Sequence, residues 1–141
     1  MKIDHANVVA VADDPTSPVG SNEWNADHTV VPSIVTITDA AGQTFDAQSG
    51  KTDTARLAAT ASRTLVAPLN PADGQRVVIE HLASGGSWTL ALTTGSAGAF
   101  AFGTDITALT ATASGATDEI LVIYNATANR WRVSAVVKGF P

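Results

Sequence analysis

Residues 119–137 read EILVIYNATANRWRVSAVV, two alternating runs joined by a short polar turn, and the rest of the chain is organised around them. Ile120, Val122 and Tyr124 fall on one face of the first run. On the second, Trp131, Val133, Ala135 and Val137 fall together while Arg130, Arg132 and Ser134 face the other way. That period of two marks a half-buried antiparallel hairpin. Leu121 and Ile123 make the first run apolar on both faces, which places it inside a sheet, with the Arg-bearing run nearer an edge or solvent.

The chain has 141 residues, of which 45% are hydrophobic and only 15% charged. A length of this order suits one domain plus an arm, and such a domain buries roughly two-thirds of the surface of its unfolded chain. Much of the apolar content is Ala and Val with Thr and Gly between, which favours short packed strands over long helices. No run of 18 apolar residues occurs, so no membrane span is expected. MKIDHANVVAVADD at the start meets acid rather than a small-residue cleavage site and is not read as a signal peptide. With no cysteine, disulfides and thiolate metal sites are excluded.

The net charge of −5 is unevenly spread: residues 1–31 hold one lysine against five carboxylates, whereas residues 32–141 are nearly balanced. Nucleic acid is not an expected partner, because its phosphates require a clustered basic face. The first 31 residues also carry Asp13, Asp14, Pro15 and Pro18 close to Gly20, Ser21 and Asn22, a density of turn formers that predicts an extended, irregular arm. Within it VGSNEWNADHTV, residues 19–30, is the distinctive string. Asn22 could cap one helical turn. Trp24 needs a pocket, on its own domain or on another subunit, because so polar a segment cannot bury an indole by itself.

That string, through Trp24, Asn25, Ala26, Asp27 and His28, resembles a short N-terminal segment of structural proteins of tailed bacteriophages and prophages, fibre and tail proteins above all. The resemblance implies that residues 1–31 anchor the protein in a virion, with Trp24, Asn25, Asp27 and His28 as the docking patch.

From Pro32 the texture changes to short runs punctuated by turns. Residues 33–38, 44–48, 56–60, 63–67, 75–82 and 88–92, with the terminal pair, make about eight strand candidates, and Phe100 and Phe102 again share a face. In residues 75–82, Val77 and Ile79 face a core while Arg76 and Glu80 stay wet, and residues 88–92 place Trp88, Leu90 and Leu92 on one face. These two runs predict a second hairpin. Two prolines in PLNP, residues 68–71, make a kinked connection rather than a strand. The Thr/Ala-rich passage 104–117 has Ile106 and Leu109 as its large anchors. The expected fold is all-β: an antiparallel two-layer sandwich, jelly-roll-like, over residues 32–141, preceded by the extended arm of residues 1–31.

The order of these runs also resembles the β-domain that closes many phage fibre and minor virion proteins. This resemblance implies a virion location, other virion proteins (capsid, neck or tail) as partners, and a homotrimer whose three-fold axis would bury the surplus Ala and Val.

Reactive chemistry is sparse. His5, His28 and His81 lack ligand spacing, so no metal site is expected. Ser84 and Ser87 flank Gly85 and Gly86 without a G-x-S-x-G motif. Ser49, Gly50, Lys51 and Thr52 lack the upstream glycine of a phosphate loop. The pairs Asp13–Asp14 and Asp118–Glu119 read as solvated carboxylates, the second pair pointing to opposite faces, and Asn125, Ala126 and Thr127 as a hairpin loop. No catalytic residue and no cofactor are expected, so the chain is read as a non-enzyme. A receptor- or glycan-binding adhesin contacting the host surface is the alternative. It needs exposed aromatic platforms, and the chain has eight aromatics, five of them (Trp88, Phe100, Phe102, Tyr124, Trp131) assigned to core faces.

Overall fold

A computed structural model describes residues 33–141, and the protein is all-β over that range. The strands are β1 (Ser33–Thr36), β2 (Thr52–Ala59), β3 (Arg63–Leu65), β4 (Arg76–Ala83), β5 (Leu90–Leu92), β6 (Phe100–Ala101), β7 (Thr117–Asn125) and β8 (Arg130–Phe140). One 3₁₀ turn, Gln48–Gly50, precedes β2. Six strands form one sheet in the order β1-β2-β4-β7-β8-β6, and β3 and β5 form a second, two-stranded sheet.

The terminal hairpin forms as the alternation requires, with β7 in the sheet interior between β4 and β8, and β8 flanked outwardly only by the two residues of β6. Asn125 Oδ1 accepts the Ala128 N–H at 2.7 Å, and Asn129 closes the turn with a left-handed φ of 47°. Asparagine tolerates that conformation better than most side chains. The alternation of β8 breaks once. Leu121 lies opposite Ala135 but Val122 opposite Val133, so Ser134 is an extra residue, a β-bulge. Beyond it the faces exchange: Val136 packs against the core and Val137 is exposed, the reverse of the expected grouping of Ala135 and Val137 with Trp131.

The expected antiparallel sheet is corrected to a mixed one. Only β4–β7 and β7–β8 are antiparallel, whereas β1–β2, β2–β4, β6–β8 and β3–β5 are parallel. Parallel neighbours need a crossover. Between β2 and β4 it is residues 60–75, which contain β3 and the kinked PLNP segment rather than a helix. The predicted hairpin of residues 75–82 with 88–92 does not form. After β4 the chain leaves the large sheet, and β5 pairs with β3. At this exit Gly86 lets the chain pass close under Trp88: a Cβ there would clash with the indole, whose Nε1–H donates to the Ser84 carbonyl at 2.9 Å. Trp88 therefore sits half-buried over the turn instead of joining Leu90 and Leu92 in the core.

Residues 44–48 likewise form no strand of their own. They run alongside residues 65–69 through parallel bridges and hydrogen bonds such as Ala47 N–H to Leu69 carbonyl at 2.8 Å, with Phe45 and Ala47 buried. The buried amide of Gln75 ties this region to the large sheet, donating to the carbonyls of Ala47 (2.8 Å) and Thr52 (3.0 Å) and accepting the Ala72 N–H (3.1 Å). A buried amide satisfied on both ends carries little desolvation penalty.

One buried cluster spans both sheets. Ala55, Leu57, Val77, Ile79, Ile120, Val122, Trp131 and Val133 line the inner face of the large sheet, and Leu65, Leu90 and Leu92 join them from the small one. Trp131 is wholly buried and lies 5.2 Å, ring to ring, from Tyr124. At the periphery Asp39 bonds Arg63 and Thr60, and their donors hold its carboxyl well below the usual range.

Candidate functional site

The sequence-selected anchoring residues Trp24, Asn25, Asp27 and His28 lie outside the described residues. Within residues 33–141 the chemistry-bearing side chains gather elsewhere, at one end of the inner sheet face.

His81 lies on β4 two positions after Ile79, and Asp118 on β7 two positions before Ile120, so the pleat that buries the isoleucines buries these polar groups as well. Thr112 comes from the passage between β6 and β7, held there by reciprocal backbone bonds with Trp88 of 3.1 and 2.8 Å. The Thr112 hydroxyl donates to Asp118 Oδ2 at 2.6 Å and lies 2.8 Å from His81 Nδ1. A hydroxyl has one proton. With that proton on the carboxylate, the His81 contact is Nδ1–H donating to Thr112 Oγ1, which leaves Nε2 as the unprotonated nitrogen. Nε2 is buried and has no partner.

Asp118 is only 4% exposed, which corrects the expectation that the Asp118–Glu119 pair is solvated, although the two do point to opposite faces. Its burial is tolerated because both carboxylate oxygens have partners. A second bulge sets Lys138 and Gly139 together against it: the Gly139 N–H donates to Oδ1 at 3.0 Å and Lys138 Nζ stands 3.3 Å from Oδ2. Gly139 takes a φ of +82°, which most other side chains would resist. Lys138 also donates to the carbonyls of Thr110 (3.3 Å) and Ala111 (2.9 Å) and to the Thr110 hydroxyl. Burial is the largest influence on His81 and lowers its pKa; Asp118 opposes that shift and Lys138 adds to it. The ring is neutral at pH 7.

Beside this cluster is a cavity of about 170 Å³, lined by His81, Thr112, Asp118 and Lys138 on the polar side and by Leu90, Ile106, Leu109, Ile120 and Val136 on the apolar side. Ile106 and Leu109 do anchor the Thr/Ala-rich passage, as expected, and Thr112 is the third anchor, missed because a lone Thr among many carries no periodic signal. Chemically the cluster is a relay that ends at the unpartnered Nε2 of His81. The hydroxyl between His81 and Asp118 gives its proton to the carboxylate rather than to the imidazole, so it is not activated as a nucleophile in the manner of a Ser–His pair.

No family model, no curated protein and no solved structure matches this chain.

The remaining sequence candidates have local roles. Thr52 is buried and its hydroxyl donates to the Asp46 carbonyl at 2.9 Å; Ser49 and Gly50 end the 3₁₀ turn, Lys51 caps it and Thr52 opens β2, so the four residues are the entry to a strand rather than a phosphate cradle. Asn125 is used in the hairpin loop. Among the described residues no group of three or more His, Asp or Glu side chains could hold a metal ion.

Proposed function

We propose that this protein is a structural component of a tailed-phage virion, a short fibre, spike or decoration protein. The observation that carries the reading is the string Trp24, Asn25, Ala26, Asp27, His28 in an acidic segment ahead of an all-β region. In this reading residues 1–31 anchor the protein to capsid, neck or tail proteins, the β-region projects, the assembly is a homotrimer and no reaction is catalysed. The small β3–β5 sheet is then an incomplete second layer over the large one, a sandwich of unequal halves. The Thr112 and Asp118 side chains, with Lys138 and the Gly139 N–H, support a mechanical role, because their polar groups tie the segment before β7 to the end of β8.

The test is incorporation. Virions or capsids lacking the protein are mixed with purified wild type and with Trp24→Ala. Wild type is expected to bind and Trp24→Ala to be left in solution. Equal incorporation of both removes the role given to Trp24.

The second reading, a receptor- or glycan-binding module, is favoured by one observation: Trp88 is half-exposed on the loop after β4 rather than buried in the core. Sugars stack on such rings. Binding on a glycan array that is lost in Trp88→Ala would support it, and an array without hits would count against it.

A further inference from the structure

The six-stranded sheet has an outer face opposite the buried cluster. The register sets Ile34, Thr54, Val78, Leu121 and Ala135 in one cross-strand row on that face. Two residues along the strands on one side, the next row holds Arg76, Ile123 and Arg132. Two residues on the other side it holds Arg56, Glu80 and Glu119. Val78, Leu121 and Ile123 stand outside the core cluster, so nothing in the inner packing accounts for an apolar central row.

The charges flanking this row are arranged with opposite sign. Among the described residues no carboxylate pairs with Arg76 or Arg132 and no cation pairs with Glu119, while Arg56 is held by Glu80. One side of the row is thus +2 and the other −1.

We propose that a second copy of this chain docks on this face, sheet against sheet, about a two-fold axis lying along the apolar row. Such an axis turns the strands of the second copy end for end. Arg76 of each copy then comes over Glu80 of the other and Arg132 over Val137, one strand away from Glu119, and the apolar rows meet between them. An axis along the strands would instead set arginine over arginine, which like-charge repulsion disfavours. Two-fold contacts are self-complementary in this way, and aligned sheets pack about 10 Å apart with their side chains interdigitated. The contact is separate from whatever contact builds a trimer. It doubles the subunit number, to two from a single chain or to six from a trimer.

The test is the mass of the full chain by sedimentation velocity and light scattering at low salt, at concentrations up to about 1 mM so that an affinity in the micromolar-to-millimolar range is seen. An even number of subunits is expected. Arg76→Glu with Arg132→Glu is expected to halve the mass, or to raise the dissociation constant at least about tenfold. The exchange Arg132→Glu with Glu119→Arg is expected to recover most of what Arg132→Glu alone loses. These side chains lie outside the core, and unchanged circular dichroism verifies the fold of each variant. A wild-type chain that stays single or strictly trimeric, a mass indifferent to the double arginine reversal, or an exchange that recovers nothing overturns the proposal. Virion incorporation is read separately, so this contact can fail while the anchoring role stands.

Discussion

The two faces of the large sheet use the same strands and nearly the same apolar residue types, yet they differ in exposure and in the use made of their polar groups. On the inner face Val77, Ile79, Ile120, Val122 and Trp131 are almost wholly excluded from water, and even His81 and Asp118 are buried. On the outer face Val78, Leu121 and Ile123 are only half-buried and sit among Arg76, Arg132, Glu80 and Glu119. What separates the faces is the cover. Leu65, Leu90, Leu92 and the segment around Phe45 close one side, and no part of residues 33–141 joins Val78 and Leu121 in a core on the other. An apolar stripe becomes a core only where a second layer removes its water.

The sharpest way to break the inner face is Trp131→Ala, which empties the largest fully buried site. A loss of about 3–5 kcal/mol is expected, read as a lowered urea midpoint. Thr112→Val comes next: it keeps the shape but strips Asp118 and His81 of their shared partner, at a cost of about 1–3 kcal/mol in the same assay. Smaller still is a pH effect. Burial lowers the folded-state pKa of His81 below its ordinary 6.5. Below that pH the unfolded chain takes up a proton that the folded chain refuses, so stability is full above it and declines as pH falls. Urea midpoints between pH 7.5 and 5 should fall in wild type, and His81→Gln should flatten the slope. Asp39 does not enter this window, because a depressed carboxyl pKa contributes stability that is lost only as pH falls below its ordinary 3.8. The smallest change belongs to the outer face: Leu121→Ala in dilute solution should cost about 1 kcal/mol or less. A loss as large as that of Trp131→Ala would mean the two faces are equally closed.

Much of the inner face was legible in the residues. The period-2 pattern located β7 and β8, chose Ile120 and Val122 as inward, and put Val77 and Ile79 opposite Arg76 and Glu80. The same parity, continued by two positions, reaches His81 and Asp118. The pattern alone does not bury Asp118, because an acidic residue at a strand start ordinarily faces water, and its three partners come from residues 6, 20 and 21 positions away. The bulge at Ser134 was hidden for a related reason. Nothing in RWRVSAVV marks an extra residue, since the misfit exists only against the neighbouring strand.

Local alternation and turn chemistry in the sequence were enough to determine that the chain is built of strands, where most of them lie and which side of each avoids water, because these depend on neighbours within a few positions. The direction in which strands pair was decided by the tertiary structure alone. Parallel or antiparallel, β2 exposes the same row of amides and carbonyls, and only the path of residues 60–75 and the layer they place over the sheet selects β4 as its parallel neighbour. The meeting of His81, Thr112 and Asp118 is of the same kind. Each residue is ordinary where it stands, and the chemistry comes from folding, which brings the Thr112 hydroxyl within 3 Å of both His81 and Asp118.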